Sequence, residues 1–320
     1  MFSNYANTSG DLSFKPTYQV LSPHYLYGGS AREYWDTIHQ DEQVKRYFAT
    51  LPSREIGESV KSCTRAVGVS VVWLGVGSSH LERMVTETLR SQINVTKIVV
   101  HEHQASLAEI EANKFRQQMP TIPVEILSGD FRNLDLSKIH VADEKTLLCS
   151  VGASMSNLPD LDVLLPNLTK QLRPGDFLFS DFTVANRKAE HRIPKDGSIT
   201  GNASAVLSPI ELKWIYIALQ NYCIDQGKPC KAKDIQLTYS VRSLAKDGYA
   251  VEISAAFSSS LEPISVLHFV RFDEQVLDTF ISKLGLRLLV SRETHPLIRF
   301  KLAEMNGGAS DFYATPLPKH

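Results

Sequence analysis

The sequence is short of the residues that mark several classes of protein. Four cysteines occur in 320 residues, Cys63, Cys149, Cys223 and Cys230. That is too few to staple a chain of this length, and none forms a CxxC or CxxxC metal pair. The chain reads as reduced and cytoplasmic, and no metal is expected. Its first residues, MFSNYANTSGDLSFKP, lack the basic-then-apolar order of a secretory leader. The longest apolar stretch, Val69 to Gly77, falls far short of the roughly 20 residues that span a bilayer, so a membrane is not an expected partner. Charge of one sign is also missing: 34 Lys plus Arg face 35 Asp plus Glu, for a net charge of −1. No window holds the dense basic run that neutralises a phosphate backbone, which argues against nucleic acid. Internal repeats, low-complexity tracts and coiled-coil heptads are absent too, and the oligomeric state stays open.

What is present is an ordinary globular composition, 43% hydrophobic, 9% aromatic and 22% charged, in a chain long enough to bury a sizeable core. From residue 69 short apolar runs alternate with amphipathic ones. VSVVWL (Val69 to Leu74) predicts a strand between glycines, and His80 to Gln92 a helix carrying Leu81, Met84, Val85, Thr88 and Leu89 on one face. Lys97 to His101 is a second strand, followed by a helix from Ser106 to Gln118 with Leu107, Ile110, Ala112 and Phe115 on its apolar side. Val124 to Leu127, Thr146 to Val151 and Asp176 to Asp181 complete five strands, with a helix from Asp160 to Leu172 before the last. Strands joined by crossovers predict a largely parallel, three-layer α/β sheet.

Residues 1–66 lie outside this pattern and read as an N-terminal helical cap, with a helix from Arg32 to Phe48 and another from about Arg54. The sheet domain is expected over 67–183, an inserted domain over 184–263, the C-terminal part of the sheet over 264–306, and a tail over 307–320. The insertion opens with a polar, turn-rich stretch, then a helix from Ser208 to Asp225. Ile235 to Val241, Tyr249 to Phe257 and Ser265 to Phe272 come next as an antiparallel set of strands. A last helix (Glu274 to Leu284) and two strands (Leu286 to Ser291, Ile298 to Ala303) end the pattern.

Ligands of an open parallel sheet bind beyond the carboxyl ends of its strands, where helix N-termini and bare amides converge. Four loops qualify. Gly75-Val76-Gly77-Ser78-Ser79 has the form GxGxS, which lets a ligand approach the backbone, although GxG alone also describes a plain turn. Glu102 ends the second strand, where a carboxylate can accept both hydroxyl protons of a ribose. Gly129-Asp130-Phe131 follows the third: Asp130 can accept from an exocyclic amine while Phe131 packs on a flat base, or the pair is an Asx-turn with a core phenylalanine. The fourth runs from Gly152 to Pro159. There Asn157 offers a donor and an acceptor, or only begins the turn before Asp160 caps the next helix. His101 and His103 share one strand face, but no third metal ligand accompanies them.

The order of these loops, with LRPGD (Leu172 to Asp176) before the fifth strand, resembles class I S-adenosylmethionine-dependent methyltransferases. Within that group, GVGSS and GASMSNLPD (Gly152 to Asp160) look like the histidine-specific methyltransferase family of ergothioneine synthesis, which includes an indole-alkaloid amine methyltransferase. The likeness runs from about Val69 to Ala303. It implies a Rossmann-like methyltransferase sheet with an inserted helix-plus-antiparallel-strand substrate domain, and S-adenosylmethionine as cofactor. Gly75, Gly77 and Ser79 would hold its methionine part, Glu102 its ribose, and Asp130 with Phe131 its adenine. Asn157 would face the acceptor, a small molecule, with methyl transfer to an amine nitrogen as the favoured reaction. Two departures stand out: Trp73 occupies the place where that family usually has an acid, and its later acceptor-binding Glu and Ser find no clear match in Ser265 to Val270, so histidine is not the expected acceptor. Tyr25, Tyr27, Tyr34 and Trp35 of the cap and Trp214 and Tyr216 of the insertion are candidate acceptor-site walls, although aromatics at helical spacing also build cores. A different chemistry on the same cofactor, or a silent binding protein that keeps the fold, are the alternatives.

Overall fold

A computed structural model describes residues 15–40, 52–64, 67–77, 79–152, 155, 157–158, 160–185, 198–205, 207–243, 248–259, 261–295 and 298–306. The expected extension of the first cap helix to Phe48, Ser78, part of the Gly152 to Pro159 loop and the tail from 307 lie outside them.

The large sheet has seven strands: β2 (Val69–Leu74), β3 (Val95–Glu102), β4 (Val124–Ser128), β5 (Lys145–Ser150), β6 (Phe177–Thr183), β11 (Leu286–His295) and β12 (Ile298–Met305). Their spatial order is β11-β12-β6-β5-β2-β3-β4. β2 to β6 run parallel, while β12 lies antiparallel to β6 and to β11. β2 is buried along its whole length, as a β-branched run covered on both faces must be. One face packs on α3 (Ser53–Thr64), α4 (His80–Arg90) and α5 (Ala105–Gln118) through Val71, Trp73, Val85, Val100 and Phe115. The other packs on α6 (Leu161–Thr169) and α8 (Glu274–Lys283) through Val72, Leu74, Leu165 and Leu277. This is the three-layer, Rossmann-like sheet that the alternation predicts, with the strand order reversing between β2 and β5.

A second sheet of five strands has the order β1-β10-β9-β8-β7, from β1 (Gln19–Val20), β7 (Ser198–Asn202), β8 (Ile235–Ser243), β9 (Tyr249–Phe257) and β10 (Ile264–Arg271). β8, β9 and β10 are the three strands that read in sequence as an antiparallel set, and they pair so, because short connections make sequential strands hairpin neighbours; the domain boundary expected at 263 falls between β9 and β10 of this sheet. β7 forms within a stretch that reads in sequence as turns. α7 (Pro209–Asp225) starts at a reciprocal Ser208/Glu211 capping box.

α7, the small sheet and the cap helices α1 (Pro23–Tyr27) and α2 (Gly29–Gln40) share a third core, which contains Leu26, Ala31, Trp214, Ile215, Leu237 and Ile253. Trp214 locks the join: its indole N–H donates to the Leu26 carbonyl at 2.5 Å. The two sheets meet where Thr183 Oγ1 donates to the Val270 carbonyl at 2.6 Å. Among the described residues no helix is long and apolar enough to cross a membrane, and no three metal-ligating side chains cluster.

Candidate functional site

The loops after β2, β3 and β4 are stitched together at the carboxyl edge of the sheet. Gly75 N–H donates to the His101 carbonyl at 3.0 Å, and Gly129 N–H to the Glu102 carbonyl at 3.0 Å. The turn after β2 needs left-handed backbone at Gly75 (φ 67°), Gly77 (φ 49°) and Ser79 (φ 52°). Glycine adopts this conformation freely and serine does not. Ser79 is also fully buried, caps nothing with its side chain, and has no hydrogen-bond partner for its Oγ. A strained residue with an orphaned buried hydroxyl is the kind of feature that a ligand completes.

Glu102 holds this turn in place. It is 7% exposed, its Oε1 accepts from Gly77 N–H at 3.1 Å, and its Oε2 accepts from His103 N–H at 3.0 Å. Burial raises its pKa and the two amides counter that. Each oxygen keeps a second lone pair for a hydroxyl donor.

Asp130 forms the Asx-turn alternative. Its side chain accepts from the Arg132 main-chain N–H at 2.9 Å and takes the guanidinium of Arg132 at 2.6 Å through Nη2. Arg132 therefore holds the Asp130 carboxyl below its usual range. Arg132 also reaches Asp160 at 3.5 Å, joining the loops after β4 and β5. Phe131 packs partly buried on the core, its ring 5.1 Å from that of His101. Burial lowers the His101 pKa to about 4, and its Nδ1 has no partner. Across the sheet's switch point Asn157 leaves Oδ1 buried and unpartnered. His268, on β10 of the small sheet, faces the main chain of Asn157, and burial lowers its pKa to about 4.

The aromatic candidates divide. Tyr27, Trp35 and Trp214 form one cluster, with ring centroids 5.0 Å (Tyr27 to Trp35), 4.9 Å (Trp35 to Trp214) and 5.7 Å (Tyr27 to Trp214) apart. That cluster touches the glycine turn, because a Cβ on Gly77 would stand 3.2 Å from Trp35 Nε1. Tyr27 senses the Glu102 charge, which together with burial raises its pKa. Tyr25 instead stands edge-on to Tyr222 at 5.5 Å, near Asp225 at the end of α7. Tyr216 packs around the third core, and Tyr34 carries Lys213 Nζ at 4.8 Å from its ring centre.

Three charged residues at this edge escape the sequence reading. Arg32 of α2 bonds the fully buried Glu111 of α5 and lies 3.4 Å from the Gly77 carbonyl. Glu82, in the first turn of α4, is 6% exposed. The available signal was a carboxylate at a position of the apolar stripe: Glu111 lies in line with Leu107, Ala108 and Phe115.

No protein-family model matches the sequence, and no curated protein matches it. Among solved structures it is similar to the CcbJ methyltransferase from Streptomyces caelestis (12% identity over 79% of this chain and 89% of that one, TM-score 0.41). It is also similar to the Burkholderia thailandensis 1,6-didemethyltoxoflavin-N1-methyltransferase solved with 1,6-didemethyltoxoflavin and S-adenosylhomocysteine (9%, 92% and 94%, TM-score 0.44). The DhpI complex with SAM and HEP is a third (12%, 88% and 94%, TM-score 0.46). These likenesses are of fold. The chain's own sheet is largely parallel and Rossmann-like, with β12 antiparallel between β6 and β11 at one edge.

Proposed function

We propose that the protein is an S-adenosylmethionine-dependent methyltransferase acting on a small molecule, with an amine nitrogen as the acceptor atom. The observation that carries this reading is the glycine turn. It is bonded to a buried acid at the end of the next strand, lies beside the point where strand order reverses, and leaves Ser79 Oγ and Asn157 Oδ1 buried without partners. These residues fit the cofactor's parts: amides and a hydroxyl for the methionine end, Glu102 for the ribose hydroxyls, and Phe131 with Asp130 for the base. The cofactor supplies an activated methyl group, so the chain's task is alignment and exclusion of water.

The cluster of Tyr27, Trp35 and Trp214 suits an amine that becomes more cationic as it is methylated, since aromatic faces attract such cations. Because the cluster belongs to the cap and the insertion together, it closes the glycine turn from outside. Asn157, on the opposite lip, orients the acceptor through its free carbonyl oxygen.

Incubation with methyl-labelled cofactor and a panel of amines and amino acids tests the reading. Label transferred to an amine supports it. Binding of cofactor with label appearing only on hydroxyls, thiols or carbon would overturn the amine assignment.

A further inference from the structure

Two of the chain's cysteines meet at the C-terminal end of α7. Cys223, in the last turn of that helix, is fully buried, and Cys230 is partly exposed. The chain between them folds back on itself: Gly227 takes left-handed backbone (φ 68°), which lets the Lys228 N–H return to the Cys223 carbonyl at 2.9 Å. Gln220, on the same helix face as Cys223, donates its Nε2 to the Cys230 carbonyl at 3.4 Å. Cys230 is thereby laid against the helix end, and its thiol shares a hydrogen bond with that of Cys223. The Cys230 thiol in turn donates to the Lys228 carbonyl at 3.2 Å and lies 3.9 Å from Ser259 Oγ.

The two thiols differ in reactivity. Burial, and then the Cys230 thiol, push the Cys223 thiol up to about 12, so it is not the sulfur that reacts first. Cys230 is the one that solvent reaches, and the exposed Lys228 and Lys231 that flank it in sequence suit an anionic partner. The same end of α7 is where the cap rests. Tyr222 stands edge-on to Tyr25 of α1 at 5.5 Å, Asp225 accepts from the Tyr25 hydroxyl, and Asn221 Nδ2 donates to Ser30 Oγ of α2 at 3.4 Å. α2 also carries Trp35, which stands against Gly77. A bond that fixes the end of α7 therefore acts on the cap through the neighbours of Cys223.

We propose that Cys223 and Cys230 are a dithiol that closes to a disulfide by exchange with a small-molecule disulfide such as oxidised glutathione, and that the closed form holds the cap helices more firmly. The Cys230 thiolate attacks one sulfur of the oxidant, which forms a mixed disulfide and releases one glutathione. Cys223 then gives up its proton and attacks the Cys230 sulfur, which releases the second. The two protein sulfurs lose two electrons and two protons, and the oxidant is reduced to two molecules of glutathione. Because the sulfurs already lie together in the folded chain, closing the loop removes freedom mainly from unfolded and locally opened states.

Equilibration of the full chain in buffers running from reduced to oxidised glutathione, followed by alkylation and peptide mass mapping, tests the pair. Wild type is expected to gain a disulfide between Cys223 and Cys230 in a single two-electron step, with the buried Cys149 left reduced. Cys223→Ala removes the resolving thiol, so glutathione stays on Cys230. Cys230→Ala leaves Cys223 unmodified, and this variant, at the partly exposed position, keeps the test open should Cys223→Ala fail to fold. Hydrogen exchange of the α1 and α2 amides is expected to slow about threefold or more in the disulfide form, and not in Cys230→Ala in the same oxidised buffer. Glutathione retained on Cys230 in wild type, a disulfide that joins Cys63 instead, or no reaction at Cys230 overturns the pair. A disulfide between Cys223 and Cys230 that leaves exchange in the cap unchanged overturns its hold on the cap.

Discussion

Gly77 donates its main-chain N–H to Glu102 Oε1 at 3.1 Å, which ties the turn after β2 to the end of β3. One carboxylate thus holds two loops in register before any ligand arrives. Glu102→Ala leaves the Gly77 and His103 amides without acceptors and destabilises the protein by about 1–3 kcal/mol. It also weakens cofactor binding by more than the drop in stability explains, read by thermal unfolding beside titration. Unchanged affinity would remove Glu102 from the site.

Gly77 leaves no room for a side chain unless Trp35 gives way. At φ 49° an alanine is strained, and its Cβ would stand 3.2 Å from Trp35 Nε1. Gly77→Ala is expected to cost about 1 kcal/mol or more and to shift the tryptophan emission as Trp35 moves. A spectrum identical to wild type would mean that Trp35 does not rest on the turn in solution.

Asp130 and Asn157 should separate cofactor from acceptor. Asp130→Ala is expected to weaken cofactor binding, because it removes the group proposed for the base together with the ion pair that anchors Arg132 in that loop. Asn157→Ala is expected to leave cofactor affinity intact and to lower acceptor turnover by about tenfold or more. Loss of both properties in Asn157→Ala would give that loop to the cofactor.

The buried histidines make a pH prediction. His268 has a folded pKa of about 4 against 6.5 for the free group, because burial disfavours its charged form. The unfolded chain therefore binds the extra proton first, and the stabilising contribution, present above pH 6.5, is lost as pH falls towards about 4, by up to about 3 kcal/mol. Glu82 and Glu102, whose pKa values burial raises, pull the other way, so the test is a difference. His268→Leu should flatten the acid limb of stability against pH relative to wild type, and parallel curves would contradict the assignment.

Much of the fold was legible because strands covered on both faces read as short, nearly continuous apolar runs, as β2, β3, β5 and β6 do. Helix faces were read less well. Ile110 and Met84 fit an apolar stripe, yet they are 49% and 41% exposed, while Glu111 and Glu82 turn inward. Amphipathic counting assigns charges to solvent, so it misses a carboxylate whose partner, here Arg32 for Glu111, comes from a distant helix. β10 was legible as one of three alternating strands, but alternation alone did not show that a boundary drawn at 263 would cut their sheet. That the glycine turn, Glu102 and Asn157 lie at the carboxyl edge of the sheet was legible, since strand ends can be located from sequence. The split of the aromatics was hidden, because it depends on how the cap lies across α7.

The most direct test of the central claim is calorimetric titration of the purified protein with S-adenosylhomocysteine, which presents the nucleoside and the amino-acid end together and cannot react. The account predicts one site per chain with micromolar affinity, weakened in Glu102→Ala. An absence of binding at high protein concentration, with the fold intact by circular dichroism, would contradict it.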